Sequence, residues 1–494
     1  MLRRRDFLAS AAAAASLPVL SPGARAQVPA EPPVAAPPAP AQVQPLPPAG
    51  QPQLPPGFIF GASTSSYQIE GAVKEGGRKP SIWDTFSHTP GRIADGTNGD
   101  IACDHYNRYP GDVELMAKAG FQAYRFSIAW PRVIPDGTGQ VNAAGLDFYD
   151  RLVDKLLERG ILPMACLYHW DLPQALQDRG GWHNRDIAGW FADYARAAVG
   201  RLGDRVKPWA MLNEPSVHAI FGHGFGNHAP GLTGWPSYVM AQHHQNLAQG
   251  TGLTAVRALR GDLKLGTVFS LQPIYPASQD PADIAAAQRF DACWNTINLD
   301  PLFKGSYPAP FESVFAQLVK PGDMEAIRVP VDFLGMNYYG PSWIKHDPAA
   351  FLAQAGYGAV PEGTPRTLLG WPISAQGLVE VLTRLRDSYG NPPVFITENG
   401  ACYEDPAPAN GVVQDPERVE YIRAHLVACG EAIRQGCALN GYFAWSLLDN
   451  FEWAEGERRR FGVINVDFAT QQRTPKASYL YLSQIMRAHA AARP

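Results

Sequence analysis

From residue 58 onward, short apolar runs alternate with longer stretches in which apolar residues recur every three or four positions. The short runs lie at 58–60, 123–128, 162–167, 206–212, 263–269, 333–336, 394–397 and 441–446. Each has strand length and is mostly apolar, the pattern of a strand buried on both faces of a parallel sheet. The longer stretches include 110–119, 144–159, 187–202, 238–259, 375–389 and 416–435. In the second of these, Leu146, Tyr149, Leu152, Val153 and Leu156 fall on one helical face. Strands alternating with helices predict an α/β fold, and eight of them predict a single (β/α)8 TIM barrel with long βα loops. A doubly wound sheet is the alternative, but no Gly-x-Gly-x-x-Gly turn follows an early strand.

Polar and aromatic residues gather where the predicted strands end. Ser63 to Gly71 follow the first strand with Gln68 among them, and Arg125 stands within the second. The third runs into His169-Trp170-Asp171, the fourth into Asn213-Glu214-Pro215 and the sixth into Asn337-Tyr338-Tyr339. The seventh ends in Glu398-Asn399-Gly400, and Trp445 opens a segment that runs through Glu452 and Trp453 after the eighth. The carboxyl ends of barrel strands are where such folds build active sites. A lone glutamate at a strand end would read as solvated or salt-bridged. Two of them, on the fourth and seventh strands, suggest a catalytic pair. Cleaving a glycosidic bond needs a proton for the departing oxygen and negative charge beside the developing cation, and two carboxyls meet both needs if their surroundings push their pKa values apart. The apolar approach to Glu214 suits the acid, while Arg125 and Tyr339 are available to keep Glu398 ionised.

Composition narrows the partner. Charged residues are 18% and the formal net charge is −4, and the one basic block is at the N-terminus, so nucleic acid is not the expected partner. The 12 Trp and 19 Tyr include rings suited to stack on sugar faces, while most of them are expected to fill the core. The six cysteines include no Cys-x-x-Cys or Cys/His cluster, which argues against zinc. A metal-dependent barrel hydrolase would need a His-x-His or similar cluster after the first strand, where Ala62-Ser63-Thr64 offers none. No metal and no cofactor is expected.

Three regions follow from the pattern: 1–26, 27–56 and 57–490. Residues 1–26 pair an Arg3-Arg4-Arg5 cluster with a short apolar stretch and an Ala24-Arg25-Ala26 cleavage signature. That stretch is too short to span a bilayer, so no membrane span is expected in the mature chain. The Arg4-Arg5-x-Phe7-Leu8 core resembles a twin-arginine export signal, with the general secretory route as the alternative. Residues 27–56 are rich in Pro, Ala and Gln and read as an extended spacer. The expected destination is the periplasm or the medium.

Four motifs carry a family resemblance: Phe58-Ile59-Phe60-Gly61 through Gly71, Tyr124-Arg125-Phe126-Ser127 through Arg132, His169-Trp170-Asp171-Leu172-Pro173, and Trp445-Ser446-Leu447-Leu448 through Trp453. Together with the two glutamate motifs they resemble glycoside hydrolase family 1 in its β-glucosidase branch, over about residues 58–486. The resemblance implies a retaining enzyme acting on a small β-glucoside or oligosaccharide, with Glu214 as acid/base and Glu398 as nucleophile. It implies that Gln68, His169, Asn213, Tyr339, Glu452 and Trp453 bind the sugar, that Trp445 stacks on its ring, and that Arg125 and Tyr339 support Glu398. Trp170, Asn337, Tyr338 and Phe461 stay undecided between contact and bracing. The charge of Glu452 would repel the phosphate of a 6-phosphorylated sugar, and an intact Glu214 favours O-glycosides over thioglycosides. Alternatives within the family are β-galactosidase, β-fucosidase or transglycosylase activity. A non-catalytic sugar-binding barrel would be expected to lack one of the two carboxylates.

Overall fold

In the computed structural model of the protein the described residues are 52–491, so the predicted export signal and nearly all of the spacer lie outside them. Eight parallel strands close into a barrel: β1 (Ile59–Ser63), β2 (Ala123–Ser127), β3 (Leu162–Tyr168), β4 (Pro208–Asn213), β5 (Lys264–Ser270), β6 (Phe333–Asn337), β7 (Val394–Asn399) and β8 (Leu439–Trp445). Each pairs with its neighbours in sequence, and β8 returns to β1, where Ser63 sits opposite Trp445 on one side and Arg125 on the other. The predicted TIM barrel is the observed fold. Several strands run past the end of their apolar run: β1 continues to Ser63 and β7 to Asn399. Backbone pairing does not require apolar side chains, so the ladder extends into the polar rim and carries the functional residues with it.

The outer ring is α1 (His105–Ala119), α2 (Ala143–Glu158), α3 (Ile187–Leu202), α4 (Trp235–Leu259), α5 (Pro281–Asp291), α6 (Ala375–Ser388), α7 (Pro416–Arg434) and α8 (Ala477–Ala491). The face of α2 drawn from periodicity is the buried one. The pattern starts α1 at Pro110, since proline favours a first turn, but the helix begins at His105 with Pro110 inside it. A proline there forgoes one backbone bond, and burial of His105, Asp112, Val113 and Met116 holds the helix together across it. α5 buries only Ala286, Ala287 and Phe290, too weak a stripe to read from periodicity. No helix among the described residues is long and apolar enough to cross a membrane. All six cysteines are free and buried.

Two apolar clusters fill the barrel axis. Cys166, Ala210, Val268 and Phe333 form one, and Ala123, Met164 and Phe443 the other, with Phe395 touching both. The rings of Phe333, Phe395 and Phe443 pack edge-on at 5.8 and 6.4 Å. Gly61 faces this plug, and a Cβ there would land on the Phe443 ring. The packed interior leaves the carboxyl ends of the strands as the face on which a pocket can form.

A buried ion network ties the loops after β7 and β8 to the helices behind them. Lys476 donates to Asp405 (2.5 Å) and Asp449 (2.7 Å), Arg418 to Asp405 (3.0 Å) and Asp415 (2.5 Å), and Arg460 to Asp449 (3.2 Å). Removing one partner of such a network strands buried charge. Lys476→Met is therefore expected to lower the unfolding free energy by about 3–5 kcal/mol, read from urea denaturation; a change well below 1 kcal/mol would mean the network is not buried as described.

Candidate active site

All eight strands deliver a polar group to one pocket. Gln68 follows β1, Arg125 lies on β2, His169 and Trp170 follow β3, and Asn213 with Glu214 close β4. Ser270 ends β5, Asn337 ends β6 with Tyr339 just beyond, Glu398 lies near the end of β7, and Trp445 ends β8 ahead of Glu452 and Trp453. Gln68, Arg125, His169, Asn213, Glu214, Asn337 and Glu398 are all buried. Every residue expected at the site is thus near the same rim, and the hydrogen bonds join most of them.

Arg125 is the centre of these bonds. Its Nη1 donates to Glu398 Oε1 at 2.6 Å and its Nη2 to Asn213 Oδ1 at 2.6 Å. Tyr339 O–H donates to the other oxygen of Glu398 at 2.7 Å. Asn337 Nδ2 donates to Glu214 Oε1 (2.9 Å) and to Asn213 Oδ1 (3.1 Å), while its own carbonyl accepts from Thr397 (2.8 Å). Asn337 also stands opposite Glu398 in the ladder and contributes to lowering that carboxyl's pKa. The bonds settle the orientation of Asn213. Its oxygen accepts from Arg125 and Asn337, so its amide nitrogen donates to His169 Nε2 at 3.0 Å. Burial and the nearby Arg125 hold His169 well below its usual pKa, hence neutral, with its proton on Nδ1. That Nδ1 is buried and has no protein partner.

The two carboxyls sit in different fields. Burial first, and then the charge of Glu398, push Glu214 up to about 8. Its bond to Asn337, the charge of Arg125 and its bond to Ser270 only partly oppose this, and among the described residues no cation pairs with it directly. Burial also raises Glu398, but Arg125 and Tyr339 pull against it, by charge and by hydrogen bond. The proton the pair holds near neutrality therefore belongs on Glu214. Glu452 is pushed up to about 8 by burial and then by the charge of Glu398. The acidic neighbours of Glu452, Glu398 and Glu455, add to the expected opposition to a phosphate dianion.

Aromatic rings wall the pocket. Trp453 packs against Trp83 (4.5 Å), Trp170 (4.8 Å) and His169 (5.8 Å), and Trp445 stacks on His169 at 5.8 Å. Trp170, Glu214 and Trp453 have φ of 77°, 48° and 47°, a left-handed conformation that costs such residues about 1–3 kcal/mol each. Packing and bonds such as Trp170 Nε1–H to Asn213 O (2.9 Å) and Glu214 N–H to Val268 O (2.9 Å) hold them there. Of the undecided residues, Asn337 reaches Glu214 directly. Tyr338 points away, donating to Ser374 O at 2.6 Å, and braces the barrel. Phe461 packs beside Trp445, Tyr339 and Trp371. Two residues went unread in the sequence: Ser270, which the strand-end rule applied to β5 would have found, and Trp371, whose ring lies 5.4 Å from Tyr339 but which stands in a long loop with no pattern around it.

The family model for glycosyl hydrolase family 1 matches residues 50–491. This chain belongs to glycosyl hydrolase family 1. It is 45% identical to beta-glucosidase A of Thermotoga maritima over 441 residues, covering 88% of this chain and 98% of that protein. It is 43% identical over 461 residues to the bifunctional beta-D-glucosidase/beta-D-fucosidase of Bifidobacterium breve, covering 88% and 99%. Among solved structures, the psychrophilic beta-glucosidase BglU of Micrococcus antarcticus superposes with a TM-score of 0.85 at 44% identity, covering 88% of this chain and 98% of that one. The closed barrel matches that solved structure, and the chain is a glycosidase of this family.

One electrostatic consequence is measurable without substrate. Because Glu398's charge helps to raise Glu214, Glu398→Gln should lower the Glu214 pKa below about 8, seen by ¹³C NMR of labelled glutamate. An unchanged or higher value would mean the two carboxyls do not sense each other.

Proposed function

We propose that the chain is a retaining β-glucosidase that releases terminal β-D-glucosyl residues from cellobiose, short oligosaccharides or aryl β-glucosides. The observation that carries this is the unequal treatment of the two glutamates: Arg125 and Tyr339 both bind Glu398, while Glu214 is buried and, among the described residues, makes no ion pair. In the first step a carboxylate oxygen of Glu398 attacks the anomeric carbon as the bond to the aglycone oxygen breaks, and that oxygen takes the proton of Glu214. In the second, Glu214 takes a proton from water, the water oxygen attacks the same carbon, and Glu398 leaves as carboxylate. Two inversions give net retention. Asn213, oriented by Arg125, Asn337 and His169, would hold the 2-hydroxyl. Gln68 and Glu452, which share a 3.3 Å hydrogen bond, would hold hydroxyls at the far side of the sugar, the 4-hydroxyl among them, and Trp445 and Trp453 would face its ring.

A second glycone is supported by one observation, the similarity to a protein described as a dual β-glucosidase and β-fucosidase. D-Fucose differs from D-glucose in the orientation of its 4-hydroxyl and in lacking the 6-hydroxyl, and a Gln–Glu pair offers donors and acceptors to a 4-hydroxyl in either orientation. The N-terminal sequence supports export, through the twin-arginine route, of a glycosidase domain spanning 57–490 on a Pro/Ala-rich spacer.

The test is a panel of 4-nitrophenyl β-glycosides. Glucoside should be cleaved best, with fucoside or galactoside next. Glu214→Gln should lose about 10²–10⁴-fold on substrates that need protonation, and Glu398→Gln about 10⁴-fold or more on all of them. Azide should restore turnover to Glu214→Ala, as an external nucleophile that needs no base. Near-full activity in Glu398→Gln would remove the mechanism.

The pH profile follows from the same assignment. Glu214 must carry its proton to act as acid, so kcat/KM should fall as pH rises through about 8 and should also fall on the acid side as Glu398 takes up a proton. A profile still rising above pH 9 would contradict Glu214 as the acid.

A further inference from the structure

Glu452 and Trp453 lie in a turn that the strand ends alone do not hold. Glu452 N–H donates to Gly456 O (2.8 Å) and Glu455 N–H to Glu452 O (2.9 Å), closing the turn on itself. On its entry side Phe451 N–H donates to Gln68 O (3.1 Å) and Gln68 Nε2 donates to Phe451 O (3.1 Å), which fixes it to the loop after β1. On its exit side the anchor is Asp95, from the long connection between β1 and α1. Asp95 Oδ2 accepts the N–H groups of Glu457 (2.8 Å) and Arg458 (3.1 Å). Its Oδ1 accepts Thr97 N–H (3.0 Å) and Thr97 O–H (2.7 Å), which sets the carboxylate plane. Ala94 N–H donates to Ala454 O at 2.9 Å, so the two loops run together for several residues.

Gly456 makes the fit specific. Its φ is +68° and its ψ −144°, a conformation open to glycine and not to other residues. A Cβ there would also fall on the Asp95 carboxylate. Trp453 needs such a clamp, because its own φ of 47° is unfavourable and would relax if the turn were free.

We propose that Asp95 is a positioning residue for glycone recognition: by gripping the amides of Glu457 and Arg458 it fixes the turn that aims Glu452 and Trp453 at the sugar. The inference rests on the β-glucosidase reading. Asp95 is itself exposed, so its contribution is the geometry of two accepted N–H bonds rather than a field across the pocket. It would discriminate between sugars, because Glu452 meets the hydroxyls that differ between them.

The experiment uses the full chain, in wild type, Asp95→Ala and Asp95→Asn, with 4-nitrophenyl β-glucoside and β-fucoside. Asp95→Ala should raise KM for the glucoside roughly five- to ten-fold, the scale of losing charge-assisted hydrogen bonds. It should change kcat by no more than about two-fold, as expected for loss of ground-state and transition-state binding together. The preference for glucoside over fucoside should shrink. Asp95→Asn should recover part of the loss, since an amide oxygen can accept the same two N–H groups, while its NH2 can donate to Thr97 Oγ1 but opposes Thr97 N–H. Hydrogen exchange read by mass spectrometry should speed up in peptides covering 452–458 of Asp95→Ala and stay unchanged in the peptide holding Glu398. Wild-type kinetics and preference in Asp95→Ala would overturn the inference. So would an equal loss on both sugars with faster exchange throughout the barrel, which would mark a general stabilising role. A wild-type chain that cleaves no β-glycoside would instead overturn the functional reading, and this inference with it.

Discussion

One buried guanidinium organises this site. Arg125 sits fully inside the barrel rim and divides its two nitrogens between Glu398 and Asn213. A buried cation must be paired, and here the pairing does two jobs. It keeps one carboxyl ionised in a pocket where burial drives carboxyls toward neutrality, and it fixes the amide that fixes His169. Remove the charge and three buried carboxyls, Glu214, Glu398 and Glu452, would lie close together, with only the Tyr339 and Asn337 bonds to favour ionisation of Glu398. The proposed division into acid and nucleophile therefore follows from where one cation lies.

The barrel explains how that cation comes to be there. Parallel pairing brings Ser63, Arg125, Asn213, Asn337, Glu398 and Trp445 to one end although they are spread over nearly four hundred positions of the chain. The apolar plug of Phe333, Phe395 and Phe443 closes the axis beneath them. The loops are less secure than the strands, since they hold Trp170, Glu214 and Trp453 in left-handed conformations. Compensation comes from behind: the Lys476–Asp449–Asp405–Arg418 network under the last two loops, the ring stack around Trp453, and the Asp95 grip on its turn.

Much of this was legible in the sequence. The eight strand runs and the residues that follow them carried the fold and most of the rim, because a parallel barrel writes one periodic rule along the chain and puts its chemistry where that rule breaks. Contacts between distant loops left no such trace. That Asn337 would bond Glu214 while its neighbour Tyr338 faced outward depends on a one-residue alternation in β6 that the short apolar run does not fix. Trp371 and Asp95 lie in connections with no periodicity at all, and their roles exist only once two loops meet. The sequence shows Glu452 only as a carboxyl, and it takes the fold to show that burial and the charge of Glu398 push its pKa up to about 8.

The central claim is that Glu398, held ionised by Arg125 and Tyr339, bonds to the sugar carbon. The direct measurement is mass spectrometry of the protein after incubation with a 2-deoxy-2-fluoro-β-glucoside bearing a good leaving group, which slows the second step more than the first. The account predicts one added fluoroglucosyl group, mapped to the peptide containing Glu398 and absent from Glu398→Gln. An adduct on another residue, or steady hydrolysis of ordinary β-glucosides with the α-anomer of glucose released first, would contradict it.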